Sequence, residues 1–282
     1  MSLPQFKIRA SAASEILGGT MGLTEAQSAR LNELQSRKDD HAAGVDKVKP
    51  LTLNMESELQ LLIYKQENPE LPEGAKTYCQ KWLKEQLYNR RKHFTNRYLE
   101  KGIQCEDEAI EFAADFFQWE GASKNDEWFE DDYMQGTPDI ILGHDSHVID
   151  IKNSYDAFSF PLFEDEIPTK GYNDQLQVYL HLTGHDKATL TYCLMDAPLD
   201  IMKEEMRRMS WKEGSMGAIS DELYQKVKME MTYSNLIPEL RLKAFTVKKD
   251  PEVITKLIFR VEKCREYIAG LLAKKAELKE AA

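Results

Sequence analysis

Apolar positions along this 282-residue chain switch between two periods, and the switches outline its elements. Ala109, Ile110, Phe112, Ala113, Phe116 and Phe117 recur close to helical spacing, which predicts an amphipathic helix opening at Gly102. Leu176, Tyr179, Leu180 and Leu182 form a second helical stripe. Between them lie two short runs of strand type: Ile140-Ile141-Leu142, then Val148-Ile149-Asp150-Ile151, rich in β-branched residues. Further strands are predicted at Phe6–Arg9, Leu190–Met195 and Leu240–Val247. A short helix ends at Gly18-Gly19, and 24–48 reads as a polar helix and a loop. Residues 54–67, 74–101, 199–232 and 251–280 read as helices. The order is mixed α/β with a mostly helical first third. It predicts one elaborated domain over 1–282: a helical part (1–101), a core (102–198), and C-terminal helices with a strand (199–282).

The polar residues inside the two central strands carry the chemistry. Gly143-His144-Asp145-Ser146 is turn-like and makes the two runs a hairpin. With a two-residue loop at His144-Asp145, residues whose numbers sum to 289 face each other, which sets Asp139 opposite Asp150. Opposed residues share a face, with Cβ atoms about 5 Å apart. Lys152, two residues beyond Asp150, shares it too, while Ile149 and Ile151 point to the opposite face. Two opposed carboxylates repel, and a shared Mg²⁺ or Mn²⁺ would turn that repulsion into coordination. A surface hairpin with solvated charges is the plain alternative.

The flanking helices each offer polar residues. Glu106 falls in a first helical turn, where the helix dipole favours acids, and Asp107 and Glu108 are its neighbours there. Gln175 and Tyr179 are four apart and share a helix face. Each of these also reads as an ordinary helix residue.

Composition narrows the class. No apolar stretch approaches about 18 residues, so no membrane span is expected. The first residues lack a basic and apolar leader, which predicts a cytoplasmic protein. Cys79, Cys105, Cys193 and Cys264 are scattered, which argues against a zinc finger. The net charge of −11 argues against a general nucleic-acid binder. An acidic enzyme with a basic lining stays open, and Lys84, Arg90, Arg91, Lys92, Arg97, Arg207-Arg208 and Lys248-Lys249 are candidate linings. His181 and His185 are separated by Gly184, which ends the helix and argues against a metal pair. His144 and His147 flank the turn and are expected to be exposed. Tyr155, Phe158, Phe160 and Phe163 follow Lys152, and packing of their loop is the expected role.

Together, the series helix with Glu106, strand with Thr137-Pro138-Asp139, strand with Asp150-Ile151-Lys152, helix with Gln175-x-x-x-Tyr179 resembles the PD-(D/E)xK nuclease superfamily. It is most similar to the RecB-like branch with phage lambda exonuclease and YqaJ-like viral recombinases. Gly102-x-x-x-Glu106 resembles that branch's first acidic motif, and Ala13-Ser14-Glu15-Ile16 its N-terminal segment. The resemblance covers roughly residues 5 to 195. It implies a restriction-endonuclease-like core, a central mixed sheet flanked by helices, with a helical N-terminal elaboration. It implies Mg²⁺ (or Mn²⁺) held by Asp139, Asp150, the Ile151 carbonyl and Glu106, with Lys152, Gln175 and Tyr179 completing the catalytic set. Arg9 (or Lys7), Ser14 and Thr137 would read a terminal 5′-phosphate. The implied activity is metal-dependent digestion of linear double-stranded DNA, 5′ to 3′, in phage-type recombination in a bacterial or phage-infected cell. A ring-shaped homotrimer and a single-strand-annealing partner are implied as well. The alternatives are an endonuclease, a RecB-like single-strand nuclease, or a non-catalytic DNA-binding or scaffold subunit. The clustered C-terminal cysteines that hold an iron–sulfur cluster in some RecB-like nucleases are absent.

Overall fold

The structure, a computed structural model, describes residues 3–92, 95–143, 147–214 and 217–280. In chain order its elements are β1 (Ile8–Arg9), a 3₁₀ turn (Ala10–Ala12), α1 (Ala13–Leu17), α2 (Glu25–Ala42), α3 (Leu53–Glu67), α4 (Glu73–Tyr88), α5 (Arg97–Gln104), α6 (Glu106–Phe117), β2 (Phe129–Glu130), β3 (Met134–Gly136), β4 (Ile140–Leu142), β5 (His147–Asn153), α7 (Lys170–Thr183), β6 (Lys187–Cys193), α8 (Leu199–Lys212), α9 (Asp221–Met231), a second 3₁₀ turn (Pro238–Leu240), β7 (Leu242–Lys248) and α10 (Pro251–Glu280). The chain divides into two compact units. One holds Met1–Phe6, Glu15–Asn89 and Phe259–Ala282, the other Lys7–Ser14 and Arg90–Ile258.

The first unit is helical. Thr24 starts α2 with a reciprocal cap: its hydroxyl accepts from Gln27 N, and the Gln27 side chain accepts from Thr24 N. That arrangement satisfies two otherwise orphaned amides. Leu31 and Leu34 then pack on Leu59 and Leu62 of α3. The helix predicted over 74–101 is two helices. Asn89 takes a left-handed conformation (φ 49°) and ends α4, and Asn96 starts α5 by accepting from Leu99 N. In the second unit the helical stretch 199–232 is likewise two helices: α8 ends at Lys212, and the Ser220 cap starts α9.

The second unit carries the sheets. Among the described residues β4-β5-β6-β7 form a mixed sheet, antiparallel at β4–β5 and β6–β7 and parallel at β5–β6. In the hairpin Ile140 faces Ile149, Ile141 faces Val148 and Leu142 faces His147, which is the register expected from the sequence. The turn at 144–146 lies outside the described residues. On one face Ile140, Leu142, Ile149 and Ile151 pack on Ala109, Ile110 and Ala113 of α6. Each such aliphatic side chain contributes about 1.5–3 kcal/mol on burial. Helix α7 supplies the parallel crossover and covers the other face, the one that carries Asp150.

A smaller sheet, β1-β3-β2, was not legible in the sequence beyond its first strand. Thr137-Pro138-Asp139 carries the chain from β3 into β4 and so out of one sheet and into the other. Pro138 has no amide to offer a ladder. Asn125 holds the bend instead: its backbone N donates to the Asp139 carbonyl at 2.7 Å and its Nδ2 to the Pro138 carbonyl at 3.0 Å. Just before the bend, Gly136 lies where a Cβ would stand 2.9 Å from both Ala10 Cβ and Tyr179 Cε1.

Among the described residues Lys101, near the end of α5, is the largest fully buried side chain, at 1% exposure. Its Nζ donates to the carbonyls of Ser154 (3.1 Å) and Tyr155 (2.8 Å), clamping the chain as it leaves β5. Burial pushes the ammonium from its ordinary 10.5 down to about 8.

Gly136→Ala is expected to lower stability by about 1–3 kcal/mol through overpacking, read by urea denaturation; an unchanged midpoint would contradict the close approach. The unfolded chain keeps the Lys101 proton up to about pH 10.5 and the folded chain only to about 8, so stability gained from this group rises with pH across that window. The stability of wild type relative to Lys101→Met should therefore rise by roughly 2–3 kcal/mol from about pH 7 to about pH 10. A constant gap would mean that the Lys101 ammonium is not desolvated.

Candidate active site

The described cleft of interest lies in the second unit, lined by α5, Glu106, Asp139, the end of β5 and the start of α7. Alternation along β5 places Ile149 and Ile151 in the core and turns Asp150 and Lys152 the other way. Asp150 is 1% exposed. Its Oδ1 accepts from Gln175 Nε2 at 3.2 Å, and its Oδ2 lies 2.6 Å from Lys152 Nζ without an aligned hydrogen bond. The Asp139 carboxylate reaches across the ribbon, where its Oδ2 accepts from Ile151 N at 2.7 Å.

The electrostatics follow from that crowding. Burial, and then the neighbouring charge of Asp150, push the Asp139 carboxyl up to about 7, against the opposing pull of Lys152 and the Ile151 amide. Burial opposes the charge on Lys152, but Asp150 and Asp139 outweigh it and hold the ammonium above its usual range. The Lys152 Nζ also sits 5.0 Å from the centre of the Tyr172 ring. Gln175 Nε2 bridges from Asp150 to the Tyr179 hydroxyl (2.8 Å). Burial, followed by the Asp150 charge, drives the Tyr179 phenol far up, so it stays a neutral hydroxyl.

Glu106 opens α6 and lines the same cleft, and its charge adds to the upward push on Asp139. Asp107 and Glu108 do not line it, because successive helix residues diverge by about 100°. Glu106 pairs with Lys124 at 2.9 Å, and Lys124 also reaches Asp107 at 3.0 Å. The structure thus brings Glu106, Asp139, Asp150, Ile151, Lys152 and Gln175 to one cleft, with Tyr179 bonded behind Gln175.

Arg9, Ser14 and Thr137 are not on the cleft wall. Arg9 pairs in register with Gln135, and Thr137 sits in the bend. Ser14 Oγ lies 3.0 Å from where a Gly171 Cβ would be, at the first turn of α7. Two expectations need correction. His147 is not an exposed turn residue; it is buried in β5 with Nε2 2.7 Å from Thr189 Oγ1. His144 lies outside the described residues. The aromatics after Lys152 do not all pack: Phe160 is buried, but Phe158 and Phe163 are 100% and 89% exposed. An Asp156 turn, whose Oδ1 accepts from Phe158 N and Ser159 N, turns the loop outward there. His181 pairs with Asp131 and His185 bonds the Thr183 carbonyl, so no histidine pair forms.

Sequence reading missed Lys101, Asn125, Lys124 and Gly136. The lysines look like solvated charges and the glycine like a turn residue; only Asn125, beside the motif strands in a polar loop, carries a faint turn signal.

The donor set suits a hard divalent cation. The carboxylates of Asp139 and Asp150 are electrostatic neighbours, and Asp150 Oδ2, 2.6 Å from Lys152 Nζ, receives no aligned hydrogen bond. Among the described residues no three His, Cys, Asp or Glu side chains already converge as a cage. Lys124 and Lys152 hold the acids in their place.

No protein-family model matches the chain, and no curated protein matches it significantly. Solved structures do. A phage-related exonuclease from Haemophilus somnus 129PT superposes with a TM-score of 0.67 at 22% identity, covering 96% of this chain and 97% of that one. The alkaline exonuclease LHK-Exo from Laribacter hongkongensis superposes with a TM-score of 0.52 at 13% identity over 96% of this chain and 94% of that one. The same enzyme in complex with dAMP gives 0.53 at 12% identity, with the same coverage. The chain therefore has, over nearly its whole length, the fold of these exonucleases, with the central mixed sheet flanked by helices that its sequence leads one to expect.

Proposed function

We propose that this chain is a metal-dependent exonuclease that hydrolyses phosphodiester bonds of linear double-stranded DNA from a 5′ end. The observation that carries the reading is the Asp139, Asp150, Lys152 and Gln175 cluster, set in a cleft of an exonuclease fold. Asp139 and Asp150 would hold Mg²⁺ or Mn²⁺, with the Ile151 carbonyl and Glu106 as further ligands by resemblance. When bound, such an ion polarises the phosphoryl oxygens, lowers the pKa of water and supports the leaving oxygen.

The chain's own residues supply the rest. Lys152, kept charged by Asp150 and Asp139, is a donor to the attacking water or to a non-bridging phosphoryl oxygen. Gln175 fixes the orientation of Asp150 and is itself fixed by Tyr179. The buried β5 strand excludes water behind the carboxylates. Ser14, Thr137 and Arg9 are proposed to receive the terminal 5′-phosphate. Ser14 lies at the first turn of α7, and helix N-termini favour anions. The dAMP bound to LHK-Exo is a deoxynucleoside monophosphate, the kind of product that stepwise digestion releases.

Linear duplex DNA with a 5′-phosphate should be lost in Mg²⁺ and persist in EDTA, while a covalently closed circle survives. Lys152→Ala should slow the loss by about 100-fold or more. Digestion of the circle would make the protein an endonuclease, and survival of both substrates would move it to a binding or scaffold role.

A further inference from the structure

Immediately beyond Lys152 the chain leaves three side-chain polar atoms buried and unpaired in consecutive residues: Asn153 Oδ1, Ser154 Oγ and Tyr155 Oη. All three residues line the cleft. Native structures seldom leave such atoms without partners. Their backbone, by contrast, is tied down: Ser154 N donates to the Cys193 carbonyl at 2.8 Å, and Lys101 Nζ takes the Ser154 and Tyr155 carbonyls. Asn153 is oriented by its Nδ2, which donates to the Gly102 carbonyl at 3.2 Å. The Tyr155 ring is held 4.4 Å from Tyr98 and 5.1 Å from the Arg97 guanidinium, which Glu205 anchors at 2.8 Å. Ser154 is 5% exposed. A rigid backbone whose cleft-lining residues carry unpaired polar atoms just beneath the wall is pre-organised for a ligand.

The chemistry of the strip indicates which part of a ligand it takes. Asn153 Oδ1 is an acceptor and requires a donor, which a phosphodiester lacks and which a nucleobase or a sugar hydroxyl offers. The serine and tyrosine hydroxyls donate or accept as needed. At extended-chain rise, Ser154 lies roughly 7 Å beyond Lys152. A substrate whose phosphate engages Lys152 therefore brings its adjoining nucleoside, not its phosphate, to the strip. Resting on the DNA-hydrolysing reading above, we propose that Asn153, Ser154 and Tyr155 form a subsite for the deoxynucleoside attached to the scissile phosphate. Lys101 acts as the residue that positions it.

The test uses Ser154→Ala and Tyr155→Phe, which remove one hydroxyl each and keep the tyrosine ring on Tyr98 and Arg97. Affinities for a 5′-phosphorylated thymidine dinucleotide and for inorganic phosphate are measured by calorimetry in Ca²⁺, alongside steady-state digestion of linear duplex in Mg²⁺. Each variant should weaken the dinucleotide about three- to tenfold and leave inorganic phosphate unchanged. KM should rise by a similar factor with kcat within about twofold. Equal weakening of both ligands, or a lowered Tm, would assign the hydroxyls a structural role and overturn the subsite. Unchanged dinucleotide affinity in a protein that digests DNA would show that the strip holds only water. A wild-type protein that neither binds the dinucleotide nor digests DNA would defeat the underlying reading and the subsite with it.

Discussion

Asp139, just before β4, and Asp150, on β5, are two acids close enough to repel, and the rest of the cleft is arranged around that repulsion. The price of burying them is visible in the Asp139 carboxyl, which burial and Asp150 lift to about 7. Three groups offset it: the Ile151 amide on Asp139, and the Lys152 ammonium and Gln175 amide on Asp150. Each arrives from an element fixed by something else. Ile151 is locked by the core on the opposite face, Gln175 by a helix that covers the sheet, and Asp139 by a bend stapled through Asn125. A set of this kind is unfavourable as pure structure, since well-packed apolar residues would stabilise the same strands more simply. A bound cation would complete it.

Much of this was legible because strands have a strict period of two. Once the loop length of the hairpin was assumed, the pairing of Ile140 with Ile149 followed, and with it the faces on which Asp150, Lys152, Ile149 and Ile151 lie. Helical periodicity gave α6 and α7 with the same ease. What stayed hidden was set by tertiary contact. The break after Tyr88 depends on a left-handed Asn89, in a stretch whose polar and basic residues all tolerate a helix. The short strands β2 and β3 have two and three residues, too few for any period to show. Lys101 and Gly136 are defined by what lies opposite them: two carbonyls from the end of β5, and the Ala10 and Tyr179 side chains. Neither partner is near in sequence.

The acidic balance of the chain, −11, is handled locally. Several cations near the cleft are committed to acids or aromatic rings. Lys124 bridges Glu106 and Asp107, Lys152 sits on Asp150 beside Tyr172, and Arg97 lies against the Tyr98–Tyr155 pair and is anchored by Glu205. Positive charge here is therefore placed at specific atoms and not spread as a general attraction for nucleic acid. That pattern suits the proposed handling of DNA within one cleft.

The central claim is that the two opposed carboxylates are a cation site. Titration of Mn²⁺ into the wild-type protein and into Asp139→Asn, followed by calorimetry, tests it without any substrate. The account predicts saturable binding by the wild type, weakened about tenfold or more when one of the two charged oxygen donors is neutralised. Equal binding by both proteins, or none by the wild type, would contradict it.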